Sequence, residues 1–483
     1  MDITQLAQAM RAIVGRQGVI SEREQLRTYE CDGLTGYRVV PALVVLPENA
    51  EQVQAVVRLC HEQGVPFVAR GSGTGLSGGA LPVEEGVLIV LSRMRRILEI
   101  DLPNQRVVVE PGVINLWVTQ EVAPEGYYFA PDPSSQLVCS IGGNVAENSG
   151  GAHCLKYGFT TNHVTGLEVV LPDGEMVHLG GKAPDSPGYD LLGAFVGSEG
   201  TLGIVTKITL RILRKPETVR TLLAAFNSTD DAGSAVSAII AAGIVPAAVE
   251  MMDALAIEAA EAAVHPNYPN APALLIVELD GPAVEVEHQF QLVEQLCNES
   301  GSTEIRIAVD DEERVLMWKG RKSAFAAVGR ISPDYYVQDG VIPRTALPEV
   351  LREIAALGER SGVRVANVFH AGDGNLHPLV LYNGDVEGEA ERAEDVAGDI
   401  LLICLKHGGS ITGEHGVGED KKKYLPRMFT EDDMKTMQLL RCAFDPHGFC
   451  NPGKVFPTPR LCGEVPGPAR LHPLQQAGLA EVF

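Results

Sequence analysis

Residues Arg70-Gly71-Ser72-Gly73-Thr74-Gly75-Leu76-Ser77-Gly78-Gly79 place five glycines within ten positions. So many residues without a Cβ cannot sit in the interior of a helix or strand, so the segment is a loop. Such a loop lets main chain approach a ligand closely, and its successive N–H groups can converge on phosphate oxygens. Ser72, Thr74 and Ser77 add hydroxyl donors. The flanking pattern says where the loop sits. Residues 41–46 read as a short apolar strand. Asn49 with Gln52 three positions later reads as a helix cap, followed by Val53, Val56, Val57 and Cys60 on one face. Gly64 ends that helix, and 65–69 is a second strand. The loop therefore follows the second strand of a β-α-β unit. It is no Walker A, because no Gly-Lys-Ser/Thr follows. It is no dinucleotide fingerprint either, since that opens a helix after the first strand.

Two more glycine-rich segments lie downstream. One is Pro131-Asp132-Pro133-Ser134-Ser135 followed by Cys139-Ser140-Ile141-Gly142-Gly143-Asn144-Val145-Ala146-Glu147-Asn148-Ser149-Gly150-Gly151. The other is Gly197-Ser198-Glu199-Gly200-Thr201-Leu202-Gly203-Ile204-Val205. Further strands are expected at 87–91, 106–110, 164–171 and 203–213. In the last, Ile208, Leu210 and Ile212 alternate with Lys207, Thr209 and Arg211. Three glycine-rich turns, each beside a strand, imply one extended ligand with a pyrophosphate and ring systems.

A chain of 483 residues has room for two or three domains. The texture changes at Arg214-Lys215-Pro216, beyond which alanine-rich helices are expected at 231–242 and 253–263, with strands at 273–279 and 304–309. A helix at 430–445 and the Asn451-Pro452-Gly453-Lys454 turn close the folded part. An amphipathic helix is expected at 2–14. The net charge of −24 would repel phosphate backbones and anionic membranes, which argues against a nucleic-acid binder. Nine dispersed cysteines without a C-x-x-C fit reduced thiols and leave no iron–sulfur motif in this chain. No apolar run approaches the ~20 residues of a membrane helix, and Met1-Asp2-Ile3-Thr4-Gln5 is no signal-peptide start. A soluble, cytoplasmic protein is expected.

Strand patterns at 365–369 and 378–382 flank His370-Ala371-Gly372-Asp373-Gly374-Asn375-Leu376-His377. The Asp-Gly pair suits a hairpin turn, which would bring His370 and His377 together. Glu414, in Gly413-Glu414-His415-Gly416, is a third candidate ligand. Two imidazoles and a carboxylate with open positions favour a borderline divalent metal such as Zn, Mn or Fe. The alternative is a tight hairpin whose histidines merely sit at the surface. His415 adjoins this set and, with an ordinary pKa near 6.5, can accept a proton at neutral pH. In Trp318-Lys319-Gly320-Arg321-Lys322, a guanidinium able to grip a carboxylate competes with the reading of a solvated helix face.

The three glycine segments resemble the FAD-binding domain of the vanillyl-alcohol-oxidase/p-cresol-methylhydroxylase flavoproteins. Within that family, residues 5–457 are similar to the FAD-linked catalytic subunits of bacterial glycolate oxidases, with D-lactate and D-2-hydroxyglutarate dehydrogenases as relatives. Tyr29-Glu30-Cys31-Asp32-Gly33-Leu34 and Arg330-Ile331-Ser332-Pro333-Asp334-Tyr335-Tyr336 carry the closer likeness. The resemblance implies an α+β fold: a two-subdomain FAD domain (1–215), a substrate and metal-binding cap domain (216–425), a segment returning to the FAD domain (426–457) and a tail (458–483). It implies that Arg70 through Gly79 wrap the FAD pyrophosphate. It implies further that Pro131, Asp132, Ser134, Ser140, Gly142, Gly143, Asn148, Gly150 and Gly151 line the isoalloxazine and its surroundings. Glu199, Gly203, Ile204 and Val205 belong to the third cofactor segment, the last three at the adenine end. No histidine lies between 62 and 152, so attachment is expected to be non-covalent. The resemblance assigns His370, His377 and Glu414 to the metal, His415 to proton abstraction and Arg321 to the substrate carboxylate, with Lys322 a weaker candidate. The substrate would be a small 2-hydroxy acid, because Phe325 and Val337 stand where dicarboxylate-specific relatives are expected to be polar or basic. The competing readings are a stand-alone D-lactate dehydrogenase and a non-catalytic flavin-binding subunit. Electrons would leave through a companion flavin subunit and an iron–sulfur subunit toward quinone, with membrane contact only indirect.

Overall fold

In the computed structural model, which describes residues 2–184 and 187–457, the β-α-β unit forms where the apolar runs predict it. The Asn49 side chain accepts from the Gln52 amide to cap helix Ala50–Gln63, and Gly64 ends it in the left-handed conformation. Val53, Val56, Val57 and Cys60 are fully buried. Strands Leu43–Val45, Val87–Val90 and Phe67–Arg70 lie parallel in that spatial order, with Val19–Ile20 antiparallel at the edge. The glycine loop leaves the carboxyl end of Phe67–Arg70, the end at which ligands bind on parallel sheets.

A five-stranded antiparallel sheet follows, ordered Ile97–Asp101, Arg106–Val109, Ile204–Arg211, Val164–Val170, Met176–Gly180. The predicted alternation is real, for Ile208, Leu210 and Ile212 are fully buried.

The remainder is built on a seven-stranded antiparallel sheet. Its order is Ser302–Ile307, Thr218–Phe226, Ala273–Gly281, Ala248–Asp253, Val365–His370, Pro378–Tyr382, Asp334–Val337. Helices cover both faces. Leu222, Ala224 and Phe226 pack with helices Thr229–Ala241 and Ala283–Glu299, whereas Leu223 packs with Ala254–Val264 and Asp311–Val328. Burial on both faces explains why 273–277 reads as an unbroken apolar run.

After helix Glu431–Phe444 the chain turns back to the first sheet. The Phe67 amide donates to the Phe449 carbonyl and the Asn451 amide donates to the Phe67 carbonyl, both at 2.8 Å. No helix among the described residues is long and apolar enough to cross a membrane. Among the described residues, seven cysteines are free thiols. The expected tail at 458–483 lies outside the described residues.

Candidate active site

A cavity of about 680 Å³ opens between the first two sheets and the seven-stranded one. Every residue of Gly71–Leu76 lines it, as do Gly79, Ser134, Ser140, Gly142, Gly143, Glu199, Gly203, Ile204 and Val205. The glycine segments touch one another here. A Cβ on Gly71 would collide with Ser140 Oγ, the side chain that caps helix Ile141–Glu147 by accepting from the Gly143 amide. Glycine-rich main chain therefore lines the cavity closely, the kind of wall an extended phosphorylated cofactor needs.

Other predicted residues brace the walls from behind. Arg70 does not line the cavity; its Nη1 donates to the Cys31 carbonyl at 2.6 Å. The buried Ser77 offers its carbonyl to the Glu419 and Asp420 amides. Asn148 ends helix Ile141–Glu147 with φ 53°, and its side chain accepts from the Thr161 amide. Asp132 pairs with His153 at 3.0 Å. Pro131, Gly78, Gly150 and Gly151 likewise lie off the cavity surface, although a Cβ on Gly150 would come within 2.5 Å of Glu414 Oε2.

At the opposite wall the hairpin does what its Asp-Gly turn suggests. Val365–His370 and Pro378–Tyr382 pair antiparallel, and the His370 and His377 rings meet edge to face with centroids 5.0 Å apart. Glu414 Oε1 lies 3.4 Å from His370 Nε2 and 3.1 Å from His377 Nε2. Three ligands around one ion with bonds of about 2.0–2.1 Å stand roughly 3.3 Å apart at tetrahedral angles, so these separations fit a bound divalent metal. Glu414 Oε2 is buried without a partner, so the set could hold a cation. Burial alone would raise the Glu414 carboxyl, but hydrogen bonds from His370 and His377 hold it well below the usual range. His377 and Glu414 line the cavity; His370 stands behind them.

Two buried acids not singled out in the sequence complete the set. Glu250 lies directly across the sheet from His370, and its Oε1 is 2.7 Å from His370 Nδ1. Its Oε2 is 2.6 Å from Arg321 Nη2. Arg321 is accordingly buried and does not line the cavity, and its guanidinium is engaged by Glu250. The resemblance offers Arg321 as the substrate anchor and Lys322 as the weaker candidate; of the two, Lys322 lines the cavity. Asp339 holds the loop of Glu414 and His415, accepting from Thr412 Oγ1 at 2.6 Å, the Gly413 amide at 3.0 Å and the His415 amide at 2.9 Å. A lone glutamate in the apolar run Val249-Glu250-Met251-Met252 was the available signal for the first acid; Asp339 has no comparable one.

His415 lines the cavity, and its ring stacks on His377 at 5.0 Å with an 8° interplanar angle. Burial pushes its pKa down to about 4, against the pull of Asp339. It is therefore neutral at pH 7, and its Nδ1 is buried without a partner. A neutral imidazole on the cavity wall is in the form that accepts a proton, and burial makes it a weak base.

A backbone-lined cofactor cradle facing an imidazole–carboxylate set defines a flavin-linked oxidoreductase, and comparison with known proteins agrees. Residues 41–180 match the FAD binding domain, and 215–455 match the C-terminal domain of FAD linked oxidases. The chain is 52% identical to glycolate oxidase subunit GlcD of Escherichia coli K12, covering 98% of this chain and 95% of that one. It is 40% identical to the subunit of the same name in Bacillus subtilis, over 89% and 92%. A D-lactate dehydrogenase of Anaerostipes hadrus is 33% identical over 86% and 89%. Among solved structures, p-cresol methylhydroxylase shares the fold with a TM-score of 0.80 at 19% identity, covering 94% of this chain and 97% of that one. The chain belongs to the FAD-linked oxidase family, in the group that contains the glycolate oxidase subunits.

Proposed function

We propose that the protein oxidises a small 2-hydroxy acid, glycolate to glyoxylate and also D-lactate to pyruvate. The observation that carries this reading is the placing of His377, Glu414 and His415 on the wall of the cavity that the glycine loop also lines. FAD would be held non-covalently along the backbone of 71–79 and 140–143, and a divalent metal, Zn, Mn or Fe, by His370, His377 and Glu414. When bound, FAD accepts a hydride and the metal acidifies the substrate hydroxyl.

The chain's own residues do the rest. His415, neutral at pH 7, takes the hydroxyl proton at its open nitrogen. Glu250 orients His370 through Nδ1, and Arg321 holds Glu250; such outer partners fix ring orientation and ligand basicity. Lys322 Nζ meets the substrate carboxylate. Phe325 and Val337 both line the cavity, and with no charge to offer a second carboxylate they favour a short substrate.

Electrons then pass to a companion flavin subunit and an iron–sulfur subunit, so that a cytoplasmic protein touches the membrane only through partners; the word subunit in the relatives' names supports a partner. The likeness to D-lactate dehydrogenases favours a second reading, a stand-alone D-lactate dehydrogenase. Anaerobic flavin bleaching against D- and L-2-hydroxy acids tests both. Glycolate should bleach the flavin fastest. Faster bleaching by D-lactate supports the second reading, and no bleaching by any member ends both.

A further inference from the structure

The loop that carries Glu414 and His415 is held from two sides. In front is Asp339, from the same half of the molecule. Behind is Glu199, which belongs to the turn at 197–200 before strand Ile204–Arg211 and so to the half that forms the glycine cradle. Glu199 Oε1 accepts from the Val417 amide and Oε2 from the Gly418 amide, each at 2.6 Å. Val417 and Gly418 lie in no helix or strand, so these carboxylate bonds replace the ladder partners their amides lack.

Glu199 is itself tied down. Its amide donates to the Ala146 carbonyl at 2.8 Å, and its carbonyl accepts from Asn451 Nδ2 at 2.6 Å. Its φ is 54°, a left-handed conformation that a non-glycine residue keeps only where its surroundings impose it. The loop passes so close that a Cβ on Gly416 would collide with Glu147 Oε2 and stand 3.0 Å from Glu199 Oε1. Two buried carboxyls side by side are costly, and here they meet where the loop of one half crosses the cradle of the other.

We propose that Glu199 is a positioning residue that registers Glu414 and His415 against the cofactor cradle by holding the two amides that follow them, and that it does not act as a cofactor ligand. The inference rests on His415 as the proton acceptor. Both carboxylate oxygens are committed to the loop, and only Gly416 separates His415 from the first amide held. A displacement of about 1 Å at such a distance from the chemistry can cost about 10²-fold in rate.

The test uses the full-length, FAD-loaded protein. Hydrogen exchange on the unaltered protein should show the 417 and 418 amides protected; free exchange there overturns the proposal without any variant. Glu199→Gln keeps the shape and one acceptor oxygen, and Glu199→Ala keeps neither. Anaerobic flavin reduction at saturating glycolate should slow about 10-fold in the first and about 10²-fold in the second. Half-saturating glycolate should change little, FAD content should persist, and exchange should rise at 417–418. Reduction within about twofold of the unaltered protein in both variants refutes the proposal. So does FAD loss with unchanged exchange, which would make Glu199 a cofactor ligand. If a variant does not accumulate, the exchange result on the unaltered protein decides. His415→Ala separates the two readings: it should stop reduction yet leave 417–418 protected. Unchanged reduction in that variant would remove the base while the exchange result still judged Glu199.

Discussion

Replacing Glu250 with glutamine tests the electrostatic frame behind the proposed metal ligands. The carboxylate is about 1% exposed and serves two cations or donors at once, His370 Nδ1 at 2.7 Å and Arg321 Nη2 at 2.6 Å. Glutamine keeps the shape but has one acceptor oxygen, so either the imidazole N–H or the guanidinium faces an amide NH2. Arg321 is only 3% exposed at its side chain and cannot turn to water. Breaking a buried pair by removing one partner costs about 3–5 kcal/mol, and urea unfolding of Glu250→Gln should show a loss of that order. Removing both charges together, in Glu250→Gln with Arg321→Met, should recover most of it, since a buried pair is worth little against apolar packing. Metal affinity, measured by competition with a chromophoric chelator, should fall about 10–100-fold in the single variant and stay low in the double one. A single variant within about 0.5 kcal/mol of the unaltered protein and with unchanged metal affinity would refute the reasoning; 0.5 kcal/mol is the scale of an ordinary surface change.

Three further outcomes are expected. His415→Ala should lower the rate of flavin reduction about 10²–10⁴-fold, the usual worth of a general base, while the purified protein keeps its flavin absorbance; undiminished turnover would discard the assignment. Removing metal with a chelator, verified by elemental analysis, should abolish substrate oxidation and leave FAD bound, because the glycine cradle is separate from the imidazole set. The third concerns His153, set between Asp132 at 3.0 Å and Glu278 at 3.2 Å. Burial opposes its charge, but the two carboxylates outweigh that and raise its pKa to about 10. A raised pKa gives stability that is complete below the ordinary value near 6.5 and lost as pH rises through about 10. The urea midpoint should fall more steeply from pH 7 to 10 in the unaltered protein than in His153→Gln, and equal slopes would exclude the pairing.

The parts legible in sequence are those specified by neighbours along the chain. The Asn49 cap, the Gly64 stop and the alternation around Ile208 are local, and each element appears where its residues place it. The hairpin of His370 and His377 is likewise a short-range device. What escaped the sequence depends on register between distant strands. Glu250 meets His370 only because Ala248–Asp253 pairs with Val365–His370 across a separation of about a hundred residues. Arg321 and Lys322 are adjacent in a charged helical stretch, and composition cannot say which of them faces inward. Helix Asp311–Val328 packs on the sheet so that Arg321 reaches Glu250 and Lys322 reaches the cavity. Strands Thr218–Phe226 and Ala248–Asp253 carry no alternation to mark them, because most of their residues are buried on both faces.

The return of residues 449–454 to the first sheet orders events during synthesis. Asn451 Nδ2 donates to the Gly79 carbonyl at 2.9 Å, and Lys454 Nζ donates to the Leu81 carbonyl at 3.0 Å. The floor beneath the glycine loop is thus laid by residues that leave the ribosome more than 350 positions after it. A nascent chain has its glycine loop early but finishes that loop's support last. Truncation just before Phe449, which removes 35 of the 483 residues, should leave a protein that takes up its yellow cofactor poorly.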